Sequence, residues 1–176
     1  ETRPELIARM HAEYLEAGAE VIETNTFGGM RATLGEYGLG DRTVELNRMA
    51  AALAREVADR HSTPERPRFV AGSIGPGTRF ASLGQVRYAE LRDQVAEQAR
   101  GLLEGGVDLL LIETQFDLLG IKAAMNGCRA AMEEVGRTVP IQTQVTIELT
   151  GRMLPGTEIG AALVALDAMH PDVIGI

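Results

Sequence analysis

The stretch Gly106-Val107-Asp108-Leu109-Leu110-Leu111-Ile112-Glu113-Thr114 decides how this chain folds. It leaves a helical segment through two glycines, turns at an acid, and runs through consecutive aliphatic residues into Glu-Thr. Glycine accepts the left-handed conformation that stops a helix. An unbroken aliphatic run marks a strand buried on both faces, as in a parallel sheet. The closing carboxylate has no such local cause, because the inside of a sheet offers it nothing to bond. An echo lies upstream: Glu16-Ala17-Gly18-Ala19-Glu20 leads into Val21-Ile22-Glu23-Thr24. The same device, a helix ended by glycine and a strand ended by Glu-Thr, occurs twice.

Further β-rich runs cover residues 69–74, 141–147 and 173–176, and the two above are read as strands over 21–27 and 107–112. Between them lie apolar stripes at helical spacing. These are Ile7, Met10, Tyr14, Leu15; Leu46, Met49, Ala50, Leu53, Val57; Leu91, Val95, Ala99, Leu102; Ile121, Ala124, Met125, Cys128, Met132; and Ile159, Leu163, Leu166. Each predicts a helix with one buried face. Thr2 with Glu5 has capping-box spacing, and Asp41 is placed to cap the second helix. Helix and strand thus alternate five times, which predicts an α/β fold with a parallel sheet and right-handed crossovers.

Polar residues end several strands: Glu23-Thr24-Asn25-Thr26, Ser73, Glu113-Thr114, and Thr146 with Glu148. In a (β/α)₈ TIM barrel the C-terminal strand tips carry the chemistry, so these ends are expected to converge on one site. A doubly wound open sheet is the competing architecture. Gly72-Ser73-Ile74-Gly75-Pro76-Gly77 lacks the G-x-G-x-x-G spacing of its phosphate-binding turn. A full barrel needs eight βα units in about 250 residues. The expectation is therefore one incomplete domain over residues 1–176, with about five units visible and the first strand and the last strands missing.

Composition narrows the classes. The 176 residues are 45% hydrophobic but only 4% aromatic with no Trp, so the core must be built from aliphatic residues and Met. A net charge of −8 without a basic stripe argues against nucleic acid or an anionic membrane as partner. A single Cys forms no intrachain disulfide framework and fits a reducing compartment. No apolar run is long enough to span a bilayer, and the first residues lack the pattern of a signal peptide. The reading is a cytoplasmic protein.

Three motifs carry a family resemblance. Gly18-Ala19-Glu20-Val21-Ile22-Glu23-Thr24-Asn25-Thr26-Phe27 resembles the second-strand signature of homocysteine S-methyltransferases. Val70-Ala71-Gly72-Ser73-Ile74-Gly75-Pro76 resembles the third-strand motif, and residues 106–114 followed by Phe116-Asp117 the fourth. Gln144-Val145-Thr146-Ile147-Glu148, with Thr150-Gly151-Arg152-Met153-Leu154 and Gly156-Thr157-Glu158-Ile159, leans toward the homocysteine-binding module of the cobalamin-dependent methionine synthases. The resemblance implies methyl transfer to the homocysteine thiol, forming methionine. A free thiol, with a pKa of about 8.5, is mostly protonated at neutral pH, and zinc coordination would supply the thiolate that attacks methylcobalamin. In the family the zinc ligands are the Cys of an Asn-Cys step after the sixth strand and a later Cys-Cys pair, here expected beyond Ile176. The first-strand Asp that contacts substrate is also expected outside the chain.

The implied partners are folate- and cobalamin-binding modules of a longer polypeptide, with cobalamin held by one of them. Two alternatives stay open. One is a cobalamin-independent homocysteine methyltransferase using betaine or S-methylmethionine, or fused to a methylenetetrahydrofolate reductase. The other is an inactive partial barrel that self-associates through open strand edges. On either reading the chain alone is expected to be inactive. The resemblance makes Glu113 the carboxylate that holds the substrate ammonium; the competing role is a structural Glu bonded to backbone or to Glu23. Glu23, Thr24 and Asn25 line the same face, Asn25 either bonding substrate or tying down its loop. Ser73, with Gly72 and Gly75, is expected to bring backbone close to the site, and Thr146 completes the set. Cys128 lies on an apolar stripe and reads as a buried hydrophobe; His11, His61 and His170 have no ligand spacing.

Overall fold

The computed structural model describes residues 2–176. The chain runs α1 (Pro4–Glu16), β1 (Val21–Glu23), a short α2 (Arg31–Gly35), a 3₁₀ turn, α3 (Thr43–His61), β2 (Phe69–Ile74), α4 (Tyr88–Glu104), β3 (Leu109–Gln115), α5 (Leu118–Val135), β4 (Ile141–Val145), α6 (Ile159–Asp167) and β5 (Val173–Gly175). All four strand pairings are parallel, and the spatial order is β1-β2-β3-β4-β5. That order settles the architecture. A doubly wound sheet reverses direction partway, putting helices on both faces. Five strands added in sequence by right-handed crossovers put every helix on one face, as in a (β/α)₈ barrel opened along its length.

The helix-covered face is aliphatic. Ile22, Val70, Ile74, Leu110, Ile112, Ile141 and Val145 are buried in one core with Leu15, Val57, Val95, Leu102, Ile121 and Met125. The other face, which lines the interior of a closed barrel, holds Glu23 and Phe69 exposed and Gln142 and Gln144 half-buried. Close helix approach depends on missing side chains. A Cβ on Gly101 would stand 2.5 Å from the Val44 carbonyl, and one on Gly127 2.5 Å from that of Arg92. Both glycine stops hold as read: Gly18 (φ +117°) and Gly106 (φ +94°) take conformations that suit glycine.

One device repeats at the bottom of the sheet. The Asp108 amide donates to the Val70 carbonyl (2.8 Å) and its carboxylate accepts from the Val70 amide (2.7 Å). Asp172 does the same with Ile141 (2.9 and 2.8 Å). An acid one residue before a strand thus clips that strand to its neighbour and fixes register. Asp108 also accepts from Arg55 Nη1 at 2.5 Å.

Several sequence expectations are corrected. α1 buries His11 and Leu15, whereas Met10 and Tyr14 are exposed. α3 buries Thr43, Asn47, Ala51, Ala54, Val57 and Ala58, and Met49 is exposed. Its small-residue side packs closely on α4, so contact distance rather than hydrophobicity chose the face. α6 buries Ala162 and Leu166 while Ile159 and Leu163 stay exposed. The Thr2 capping box does not form: Pro4, suited by its fixed φ to the first helical position, starts α1, and Glu5 accepts instead from Arg3 Nε (2.7 Å). Asp41 caps nothing; it sits in the 3₁₀ turn and pairs with Arg31 (2.7 Å). The cap that does form is Asp117, which accepts from the Leu119 amide at the start of α5 (3.1 Å). β1 ends at Glu23, four residues before the expected limit, and β4 at Val145. β3 lies later than read, because Val107 and Asp108 form the turn and pairing continues to Gln115.

Candidate active site

Glu23 ends β1, Ser73 lies near the end of β2, and Glu113 is near the end of β3. By the parity of their strands all three belong to the face without helices. The Ser73 hydroxyl donates to Glu113 Oε1 at 2.5 Å, which orients that carboxylate. Glu23 is close enough to feel its charge. The Glu23 pKa is raised, first by partial loss of solvent at the carboxyl and then by repulsion from Glu113. Three adjacent strand tips therefore build an acidic mouth suited to a cation.

The segment after β1 is bound tightly to this mouth. Thr24 is buried, and its hydroxyl accepts from the Ser73 amide (3.0 Å) and bonds the Thr26 hydroxyl (2.6 Å). Thr26 Oγ1 donates to the Ser73 carbonyl (2.7 Å). Thr24 thus acts within the wall, between β1 and β2. Asn25 is exposed and lines a cleft of about 270 Å³ with Phe27, Leu34, Leu46 and Asn47. Thr146 is half-buried just past β4, and its amide donates to the Gln115 carbonyl (2.8 Å). Glu148 is exposed in the loop beyond it.

The two glycines of the β2 motif serve different ends. A Cβ on Gly72 would press on Leu102 and Val107 (3.1 and 3.3 Å), so its role is helix packing and not approach to the site. A Cβ on Gly75 would lie 2.7 Å from the Phe27 carbonyl, whose oxygen accepts the Gly75 amide (3.1 Å). That contact brings the β1 loop against the β2 tip.

Sequence reasoning missed two supporting amides. Asn47 Nδ2 donates to the Gly29 and Thr43 carbonyls (2.8 Å each), and Gln98 Nε2 to the Thr26 carbonyl (2.8 Å). Both are buried, and together they hold residues 24–29 from behind. Gln98 offered a signal, an amide beside the apolar stripe of its helix where an uncompensated polar group would be costly; Asn47 offered none, because it lies off the stripe read for α3.

Zinc finds no fit here. Among the described residues no three His, Cys, Asp or Glu side chains are grouped to hold a metal ion. Cys128 is fully buried on the inner side of α5, and burial pushes its thiol up to about 12, the opposite of a ligating thiolate.

A parallel β/α wall with carboxylates at its C-terminal tips is the arrangement of part of a (β/α)₈ barrel. The homocysteine S-methyltransferase profile matches residues 1–176, and the chain belongs to that family. It is 48% identical over 176 residues to the methionine synthase of Mycobacterium tuberculosis and 47% identical to that of Mycobacterium leprae. It spans all of its own length but 15% of each of those proteins. Among solved structures it is similar to the homocysteine methyltransferase MmuM from Escherichia coli. The metallated form superposes with a TM-score of 0.79 at 23% identity, over 98% of this chain and 62% of that one. The apo form gives 0.75 at 22% identity. At that identity the likeness speaks for the fold.

Proposed function

We propose that this chain forms the substrate-orienting wall of an enzyme that methylates the thiol of homocysteine to give methionine. The observation that carries the reading is the Ser73-oriented carboxylate of Glu113 beside Glu23, at the strand tips of a chain belonging to this family. Homocysteine presents an ammonium, a carboxylate and a thiol. Glu113 takes the ammonium, with Glu23 adding negative charge, while Asn25 lines the neighbouring cleft beside Phe27 and Leu46 and is assigned no contact with substrate. Thr24 and Ser73 hold the geometry, and Thr146 fixes the adjoining edge through Gln115.

The reacting thiol needs activation that these residues do not supply, since no group among them fits zinc. Their contribution is to bind and orient. The preferred methyl donor is methylcobalamin, on the resemblance of residues 144–159 to the cobalamin-dependent branch and the likeness to two methionine synthases. Folate- and cobalamin-binding modules of a longer polypeptide are the corresponding partners.

The test is made on the longest polypeptide that carries this chain. Calorimetry should show L-homocysteine binding, and Glu113→Gln should weaken it about tenfold or more, as expected for a lost charge-assisted contact. Unchanged affinity in Glu113→Gln would overturn the role. Turnover with betaine or S-methylmethionine, and none with methylcobalamin, would overturn the donor.

A further inference from the structure

β3 and β4 do not stay in step to their tips. Ile112 stands opposite Thr143 and Gln115 opposite Val145, so Glu113 and Thr114 together span what β4 covers with Gln144 alone. This is a β-bulge, and it falls on the residue assigned to the substrate ammonium. Thr114 carries a φ of +56°. A β-branched residue rarely adopts that conformation, and holding it is strained. Such strain persists only where surrounding contacts enforce it.

The bulge resets the phase of the strand. Simple alternation from Leu111 would put Gln115 on the same face as Glu113. The extra residue returns Gln115 to the buried side, where it is 3% exposed. From there Gln115 Nε2 donates to the Glu113 carbonyl at 3.2 Å. The Gln115 carbonyl in turn accepts the Thr146 amide at 2.8 Å. Glu113 is therefore gripped twice, its carboxylate by Ser73 from β2 and its main chain by Gln115 from within β3.

We propose that Gln115 is a positioning residue for amino-group recognition: its buried amide, together with the left-handed Thr114, holds the bulge that aims Glu113 at the ammonium of the substrate. The inference rests on the reading of Glu113 given above. Gln115 itself touches no substrate; it acts through the Glu113 main chain. Its effect must therefore appear in discrimination between amino acid and desamino ligand, beyond any effect on folding.

The experiment measures binding of L-homocysteine and of its desamino analogue, mercaptobutanoate, to the full polypeptide and its variants. Gln115→Met keeps the length and apolar packing of the side chain and removes the donor. It should weaken homocysteine about tenfold, the scale of one hydrogen bond, and leave mercaptobutanoate within about twofold. Equal weakening of both ligands, or of neither, overturns the proposal. Glu113→Gln separates the two failures: if it loses homocysteine while Gln115→Met does not, the ammonium reading stands and the role of Gln115 falls. If the unmodified protein does not prefer homocysteine over mercaptobutanoate, both fall. Should Gln115→Met not fold, Thr114→Gly decides, because glycine takes this φ without strain. It should keep the preference and melt at a higher temperature, and loss of the preference overturns the proposal.

Discussion

Two carboxylates near each other repel, and that repulsion makes the mouth sensitive to pH. The Glu23 pKa lies above its ordinary value of 4.5, so Glu23 takes up a proton more readily than a free carboxylate. A bound ammonium favours the ionised form and expels that proton. Affinity for homocysteine is therefore full above the raised pKa and declines as pH falls through it. Calorimetry across mildly acidic pH should show this decline, and Glu23→Gln should flatten it while lowering affinity at neutral pH. The His11 pKa is shifted the opposite way, yet it too makes the protein weaker in acid. The residue is 2% exposed, its Nε2 has no hydrogen-bond partner, and burial lowers its pKa below the unfolded value of 6.5. The unfolded chain binds a proton that the folded chain refuses. Stability is then full above that unfolded value and falls as pH drops toward the folded one. His11→Leu should remove this acid dependence and add about 1 kcal/mol at neutral pH by replacing an unpaired polar group. Urea midpoints for the two proteins at neutral and mildly acidic pH test it.

Among the elements, the close packing of α3 on α4 reverses the sign of a simple substitution. Helix propensity alone makes Gly→Ala in mid-helix favourable by about 1 kcal/mol. At Gly101 the added Cβ would meet the Val44 carbonyl at 2.5 Å and Asn47 Cβ at 3.0 Å. The helices must separate, so Gly101→Ala should destabilise by about 1–3 kcal/mol, as overpacked sites do. Gly35, in the exposed α2, meets nothing within 4 Å, so Gly35→Ala is the control and should be neutral or stabilising in the same denaturation assay. The paired clips at Asp108 and Asp172 belong to this scale too. Asp172→Asn keeps the shape and removes the charge that the Ile141 amide faces, and should cost about 1–2 kcal/mol. A loss of less than a few tenths would show that the clip does not hold register.

Over the whole molecule, the two ends of the sheet differ from its middle. β2, β3 and β4 have neighbours on both sides, whereas β1 and β5 each pair on one side only. The outer helices carry exposed apolar groups: Met10 and Tyr14 on α1, Leu163 and Val164 on α6. Unpaired strand edges beside apolar surface favour association. The 176-residue chain studied alone should sediment above its monomer mass and show no methyl transfer. Leu163→Glu with Val164→Lys should shift it toward monomer, and a strictly monomeric parent chain would contradict the expectation. No helix among the described residues is long and apolar enough to cross a membrane.

The sequence by itself determined the alternation of elements, the parallel sheet, and the tips where Glu23, Ser73 and Glu113 would meet. Those features follow from local rules: aliphatic runs of strand length, glycine stops, and carboxylates that a strand interior would not tolerate. The central helices α4 and α5 were legible to the residue, since both bury the apolar stripe that their spacing predicts. The faces of α1, α3 and α6 were not, because what a helix buries there depends on how closely its neighbour approaches. Only the tertiary structure decided that Thr24 is bonded within the wall, that Gly72 serves packing, and that Asn47, Gln98 and Gln115 hold the site from behind. Each depends on partners well separated along the chain or on a one-residue slip in register. No periodicity in the chain encodes such a slip, because the bulge at Thr114 exists only when β3 and β4 are paired.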